Sequence, residues 1–161
     1  MPIYCELETE ETIRRVFHYA FDEHARGVPS GGIPQIRFER IEPGRPFEVL
    51  GQAIVPIRLD HGRFQVLGFR IGDLAYCTDV SSIPESSLGL LQGLDTFIVD
   101  ALRPTPHPTH FSLSQALAAI EVLRPKHAYL THLSHTFDHP IAEANLPETV
   151  RLAYDGLALT F

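Results

Sequence analysis

The feature that most restricts the fold is a change of pattern at Asp79. Before it, strand-like stretches follow one another at 36–41, 47–50, 53–59, 65–71 and 74–78. After it, helical and strand-like segments alternate, with helices at about 84–92 and 113–123 and strands at 96–101 and 127–131. A β-rich half followed by alternating helix and strand predicts an α/β fold.

The first part of the chain carries weaker signals. Residues 2–5 are predicted to form a short strand, and a helix is predicted to follow it. The apolar residues of that helix have the spacing of one buried face: Ile13, Val16, Phe17, Ala20 and Phe21. The run 23–34 contains several glycines and prolines and is predicted to be a loop.

Two further signals lie in the second part. Ser112 and Gln115 have the spacing of a capping box, which predicts the start of a helix that stops before Pro125. Asp155-Gly156 separates the strand-like stretches 150–154 and 157–161. This arrangement predicts an antiparallel hairpin that closes the fold.

Length and composition exclude several classes of protein. A chain of 161 residues with 44% hydrophobic content is large enough for one domain. Its apolar runs are shorter than the roughly 20 residues of a membrane-spanning helix, so a cytoplasmic protein with no membrane partner is expected. The net charge of −7 argues against a broad nucleic-acid-binding face. Cys5 and Cys77 form neither a disulfide framework nor a cysteine zinc motif.

Histidine and aspartate residues follow the predicted strands. His61 follows the stretch 53–59, Asp79 follows 74–78, and His132 follows 127–131, while His110 lies in the loop after 96–101. In layered α/β folds the loops at one end of the sheet assemble binding sites. Imidazole and carboxylate ligands without thiolates suit Zn, Mn or Fe, and a carboxylate can bridge two such ions. A two-metal centre is therefore chemically reasonable.

Each of these residues also has an ordinary explanation. A histidine at a strand end is commonly a surface residue, Asp79 can cap a turn, and His110 can be a simple loop residue. The pair His132 and His135 favours a ligand role more strongly, because two imidazoles three residues apart beside a strand seldom serve packing. The remaining histidines are assigned no site role: His18, His24, His107, His127 and His139.

Five motifs together resemble those of the metallo-β-lactamase superfamily. They are Leu59-Asp60-His61-Gly62, Leu67-Gly68-Phe69-Arg70-Ile71, Tyr76-Cys77-Thr78-Asp79, Thr109-His110-Phe111-Ser112-Leu113 and Thr131-His132-Leu133-Ser134-His135. Their order and spacing look most like the phosphoribosyl cyclic phosphate phosphodiesterases, with ribonuclease Z a more distant relative. The resemblance implies an αββα sandwich of which only the C-terminal portion is present.

The resemblance also implies metal ligands. His61 would complete the first of two metal sites, His132 would complete the second, and Asp79 would bridge both ions, which would be Zn or Mn. An intact family site holds a bridging hydroxide that attacks the phosphorus of a small phosphate ester. In this reading Asp79 also counts among the catalytic residues.

Other residues receive supporting roles. His110 would bind the substrate phosphate and donate a proton to the leaving oxygen, and Arg103 is a weaker candidate for phosphate contact. Asp100 would accept the outer N–H of a ligating imidazole. His135 matches a histidine that joins cysteines in a separate structural zinc site of the cyclic phosphodiesterases, and those cysteines do not occur here.

One family motif is missing. H-x-H-x-D-H, which supplies most of the other ligands, does not occur in these residues. We therefore expect a single partial domain over 1–161, truncated at its N-terminus, that is inactive alone. The leading hypothesis is a metal-dependent phosphodiesterase, with a thioester or acyl hydrolase and a non-catalytic remnant or interaction subunit as alternatives. A homodimer is expected by analogy only.

Overall fold

A computed structural model describes residues 1–21 and 33–160, which form two compact units, 1–42 and 43–161. The loop predicted at 23–34 lies outside the described residues apart from its last two positions. None of the helices in the described ranges is long and apolar enough to cross a membrane. The prediction of one partial domain stays a prediction.

In its described residues, 1–21 and 33–42, the first unit contains a two-stranded parallel sheet, one α-helix and a short 3-10 helix, His18–Ala20. Strand β1 (Pro2–Cys5) pairs with β2 (Arg37–Arg40), and helix α1 (Leu7–Val16) follows β1. The predicted strands are confirmed, but the predicted buried helix face is wrong, since Val16 and Phe17 are 58% and 48% exposed. The spacing of apolar residues shows that they share one face of a helix, but it does not show whether another element covers that face.

The buried residue of α1 is charged. Glu10 accepts hydrogen bonds from Nε of Arg14 and Nε of Arg40, each at 2.8 Å. These two bonds lower the pKa of the Glu10 carboxyl below its ordinary value. A buried carboxylate is tolerated when guanidinium groups satisfy it in this way. Glu10 therefore ties α1 to β2.

The second unit is built on a seven-stranded sheet in the order β3-β4-β5-β6-β7-β8-β9. Its strands are β3 (Phe47–Val49), β4 (Gln52–His61), β5 (Phe64–Ile71), β6 (Leu74–Cys77), β7 (Thr96–Asp100), β8 (His127–Thr131) and β9 (Val150–Leu152). Pairing is antiparallel from β3 to β6 and parallel from β6 to β9. Consequently β4, β6, β7 and β8 all end at the same edge of the sheet.

Three helices accompany this sheet: α2 (Glu85–Leu88), α3 (Leu113–Leu123) and α4 (His139–Ala144). The predicted capping box is confirmed, because the Gln115 N–H donates to Ser112 Oγ and the Gln115 side chain accepts from the Ser112 N–H. Helix α3 ends at Leu123, and Arg124 adopts a left-handed φ of 50° before Pro125. The start and the stop of this helix were both readable from sequence.

The core of the second unit lies around the parallel strands. Phe97, Val99 and Leu130 are completely buried, as are Ile57 and Leu59 of β4. Strand β7 is buried at four of its five positions, whereas β8 alternates, with Ala128 and Leu130 buried between more accessible residues. This rigid layer holds the strand ends in place.

The predicted C-terminal hairpin is wrong. Val150 and Leu152 are buried and pair in parallel with β8, and none of the described residues 157–160 forms a strand. A turn does form at Asp155-Gly156, where the Leu157 N–H donates to the Tyr154 carbonyl at 3.0 Å. A turn signal determines only a local reversal, whereas β9 pairs where its side chains are buried.

Candidate functional site

Two residues of the candidate site lie at the ends of parallel strands. Asp79 follows β6 by two residues, and His132 follows β8 directly. Both adopt left-handed backbone conformations, with φ values of 58° and 59°. Such conformations are unfavourable for residues other than glycine and cluster at functional sites. The turned backbones bring His132 Nε2 to 3.4 Å from Asp79 Oδ1.

His110 lies at the centre of a cluster of four imidazoles. Its ring centroid is 4.7 Å from that of His61, 4.8 Å from His132 and 5.2 Å from His107. These four rings are called the histidine cluster below. His61 is the last residue of β4. The structure thus brings together the four residues predicted to lie near one another at one end of the sheet: His61, Asp79, His110 and His132. Their individual roles stay predictions.

A hydrogen bond to Asp100 orients the His110 ring. The Asp100 side chain is completely buried at the end of β7, and its Oδ2 lies 3.2 Å from His110 Nδ1. Burial raises the pKa of Asp100 to about 6, and the Val80 N–H donates to Oδ1 at 3.2 Å. Desolvation lowers the pKa of His110 below its ordinary value. At neutral pH the carboxylate therefore accepts the Nδ1–H of a neutral imidazole, which leaves Nε2 as an acceptor.

His61 is oriented by a backbone carbonyl. Its Nδ1 lies 2.7 Å from the Thr109 carbonyl oxygen, and since a carbonyl only accepts, Nδ1 carries the proton. The lone pair of Nε2 is then available as a ligand. Gly62 follows with φ 62°, and a Cβ at this position would lie 2.8 Å from Thr109 Cγ2. The close approach of these two loops requires glycine.

His107 is a residue that sequence analysis left without a role. Its Nδ1 accepts a hydrogen bond from the Thr109 N–H at 3.3 Å, and burial, the largest cause, lowers its pKa. The proton of the neutral ring is therefore on Nε2. The spacing of three residues between His107 and His110 was the one sign in the sequence that the two rings could meet. It is a weak sign, because prolines flank His107 on both sides and no helix would place the two side chains on one face.

Neither Arg103 nor His135 belongs to the candidate metal group of Asp79, His110 and His132. The Arg103 guanidinium donates to the carbonyls of Thr105 at 3.2 Å and Pro106 at 2.6 Å, which holds the loop that carries the histidines. His135 is exposed, and no cysteine lies with it in a candidate metal group of the described residues. The predicted substrate contact of Arg103 and the structural role of His135 stay predictions.

The donor atoms present fit a divalent metal ion. Asp79, His110 and His132 each offer a ligand atom, and these atoms lie within 4.8 Å of one another. Two ligand atoms about 2.1 Å from one tetrahedral ion are about 3.4 Å apart, and the Asp79 to His132 distance is 3.4 Å. His110 fits less well through Nδ1, because Asp100 already occupies that nitrogen. Asp79 and His132 are therefore the best-placed ligands, and the His61 ring lies beside that of His110.

Comparison with known proteins places this geometry in context. Residues 1–133 match the model of the beta-lactamase superfamily domain. A crystal structure of a new diphosphatase from the PhnP family is 37% identical with a TM-score of 0.86, over 99% of this chain and 58% of that chain. Zinc-bound PqqB from Methylobacterium extorquens shares the fold, with 16% identity and a TM-score of 0.71 over 100% of this chain and 65% of that one.

The name of one curated relative refers to acyl transfer and not to phosphate chemistry. An octanoyltransferase of Porphyromonas gingivalis is 30% identical over 98% of this chain, but the matched part is only 32% of that protein. The chain thus spans about a third of this relative and somewhat more than half of the diphosphatase chain. Most of the octanoyltransferase has no counterpart here.

Proposed function

The chain belongs to the beta-lactamase superfamily, and on this basis we propose that it carries part of the active site of a metal-dependent phosphodiester hydrolase. Its fold is the α/β fold of that superfamily, as the sequence predicted. The substrate of the proposed reaction is a small phosphate ester, and the cofactors are divalent ions, Zn or Mn. The observation that supports this proposal is the meeting of Asp79 and three histidines at one sheet edge.

Asp79, His132 and His61 would hold the metal. Asp79 offers two carboxylate oxygens, and each imidazole offers one unprotonated nitrogen once its other nitrogen is bonded elsewhere. When bound, divalent ions would supply an activated water and neutralise charge on the phosphoryl oxygens. The H-x-H-x-D-H ligands of the family do not occur in these 161 residues. The residues described here are therefore a partial ligand set.

His110 would act on the substrate. Asp100 fixes the Nδ1 proton, so that Nε2 faces away from the buried carboxylate. Nε2 would take up a proton from solvent and donate it to the departing ester oxygen as the bond to phosphorus breaks. The neighbouring rings of His61 and His132 lie 4.7 and 4.8 Å from the His110 ring and restrict its movement. Asp100 is a positioning residue in this scheme.

The phosphate ester is preferred over an acyl substrate for one reason. The similarity to the PhnP-family diphosphatase covers nearly the whole chain at 37% identity. The name octanoyltransferase belongs to a protein of which about two thirds lies outside the match. An acyl hydrolase and a non-catalytic subunit remain as the alternatives that the experiment distinguishes.

The test compares residues 1–161 alone with the same residues preceded by a segment that carries the H-x-H-x-D-H motif, both purified without chelator. Metal content is measured by mass spectrometry, and hydrolysis of bis-p-nitrophenyl phosphate and of an octanoyl thioester is followed with added Mn or Zn. We expect bound metal and phosphodiester turnover in the longer form only, and that form is used for the turnover predictions below. Turnover of the thioester alone supports the acyl alternative, and neither metal nor turnover supports the non-catalytic one.

A further inference from the structure

An open groove adjoins the histidine cluster. Its volume is about 720 Å³, and its lining includes Arg63, Phe64, Ser81, His107 and Thr109. The name Arg63 groove is used for it below. His107 belongs both to this groove and to the cluster, since its ring lies 5.2 Å from that of His110. A molecule bound at His110 can therefore extend into the groove.

Arg63 provides a positive charge in this groove. Its guanidinium lies over the Phe64 ring at 4.8 Å, and among residues 1–21 and 33–160 it has neither a hydrogen bond nor an ion pair. Arg103, by contrast, spends its donors on the carbonyls of its own loop. In a protein of net charge −7, an uncommitted guanidinium beside a site for phosphate esters attracts anions.

The walls of the groove are already fixed. The Gly62 N–H donates to Ser81 Oγ at 2.9 Å, and Ser81 Oγ donates to the Asp60 carbonyl at 3.1 Å. The Thr109 N–H is used by His107 Nδ1. The Arg63 guanidinium and the Nε2–H of His107 therefore remain as donors for a ligand in this groove.

We infer that the Arg63 groove binds a second phosphate group of the substrate, adjacent to the phosphate at the histidine cluster. Arg63 supplies paired N–H donors that match phosphate oxygens, and His107 supplies a third donor. The exposed Phe64 ring lies under the guanidinium and offers an apolar surface to the organic part of the ligand. The inference rests on the proposed function and narrows its substrate class to esters with two neighbouring phosphates.

The test measures binding without turnover. The α,β-methylene analogue of ADP, which resists cleavage between its phosphates, and AMP are titrated calorimetrically into the protein as its gene encodes it. The wild type is expected to bind the two-phosphate ligand about tenfold more tightly than AMP. Arg63→Gln is expected to remove this preference. Arg124→Gln, an exposed arginine outside the groove, is the control and keeps the preference.

Several outcomes decide the matter. Equal binding of both ligands by the wild type, or an unchanged preference in Arg63→Gln, overturns the inference. His107→Gln tests the groove from its other wall and is expected to weaken the preference by a smaller factor. A preference that depends on Arg63 in a protein without phosphodiester turnover upholds the groove and refutes the proposed function. Phosphodiester turnover without such a preference upholds the proposed function and overturns the inference about the groove.

Discussion

The antiparallel and parallel halves of the seven-stranded sheet contribute to the site in different ways. In the antiparallel half, β4 and β5 are joined by the two residues Gly62 and Arg63, and the chain turns back at once. In the parallel half each strand is followed by a crossover, so the strand end opens into a longer loop. Asp79, His110 and His132 all lie in such loops.

The difference teaches where chemistry can be added to this fold. Strand β7 is largely buried, β8 buries Ala128 and Leu130, and the crossover loops that follow both strands have room for ligand residues. The tight hairpin of the antiparallel half supplies one oriented imidazole, His61, and a wall of the groove. The parallel half thus holds most of the candidate ligands, and the antiparallel half shapes access to them.

The largest effect is expected at Asp79, in the parallel half. Asp79→Asn removes the carboxylate charge but keeps a side chain that tolerates a left-handed φ. Metal content should fall to background and turnover by about a thousandfold or more, because the activated water is lost with the metal. Asp73→Ala removes an exposed carboxylate at the opposite end of the sheet and is the control. Full metal content in Asp79→Asn would refute its assignment as a ligand.

The next effect concerns the stability of the two halves. Phe97→Ala empties a fully buried position of β7 and is expected to lower the free energy of unfolding by about 3–5 kcal/mol. Phe64→Ala, on β5, removes a ring that is 57% exposed and should cost far less. Urea unfolding followed by circular dichroism measures both. Equal losses would contradict the assignment of Phe97 to the buried core.

A smaller effect is expected at His110. His110→Gln should lower turnover about a hundredfold, which is typical of a lost general acid, while metal content stays unchanged. Asp100→Asn should reduce turnover less than His110→Gln does. It should also shift the pH profile of turnover, because the Asn amide carries no negative charge beside His110 Nδ1. The exposed residue His139 supplies the control variant His139→Gln. Loss of metal in His110→Gln would instead make His110 a ligand.

The smallest effect separates two glycines of the antiparallel half. Gly62 and Gly72 both have left-handed φ values, 62° and 56°, but a Cβ meets Thr109 only at Gly62. Both alanine variants bear the backbone cost of about 1–2 kcal/mol. Gly62→Ala should lose roughly 1 kcal/mol more, since Thr109 must move away. Thermal unfolding of the pair measures the difference, and equal stability would show that the two loops are not tightly held together.

Much of the fold could be predicted because its signals are local. The strand predicted at 53–59, which the structure extends to Gln52–His61, the strand at 127–131, the capping box at Ser112 and the stop before Pro125 each depend on a few neighbouring residues. The C-terminal hairpin failed for the complementary reason. Its turn is local and forms, but the pairing of Val150–Leu152 depends on burial against β8, which sequence spacing does not reveal.

The candidate site divides in the same way. By itself the sequence determined which residue types stand at strand ends and in the loops beyond them, and hence that Asp79 and His132 were candidate ligands. The tertiary structure alone decided that His107 joins the histidine cluster, that Arg103 serves its own loop, and that Arg63 faces the groove. These outcomes depend on which loops meet across the sheet edge, as the contact between His61 and Thr109 across 48 positions does. Strand order and direction set such meetings, and no local pattern encodes them.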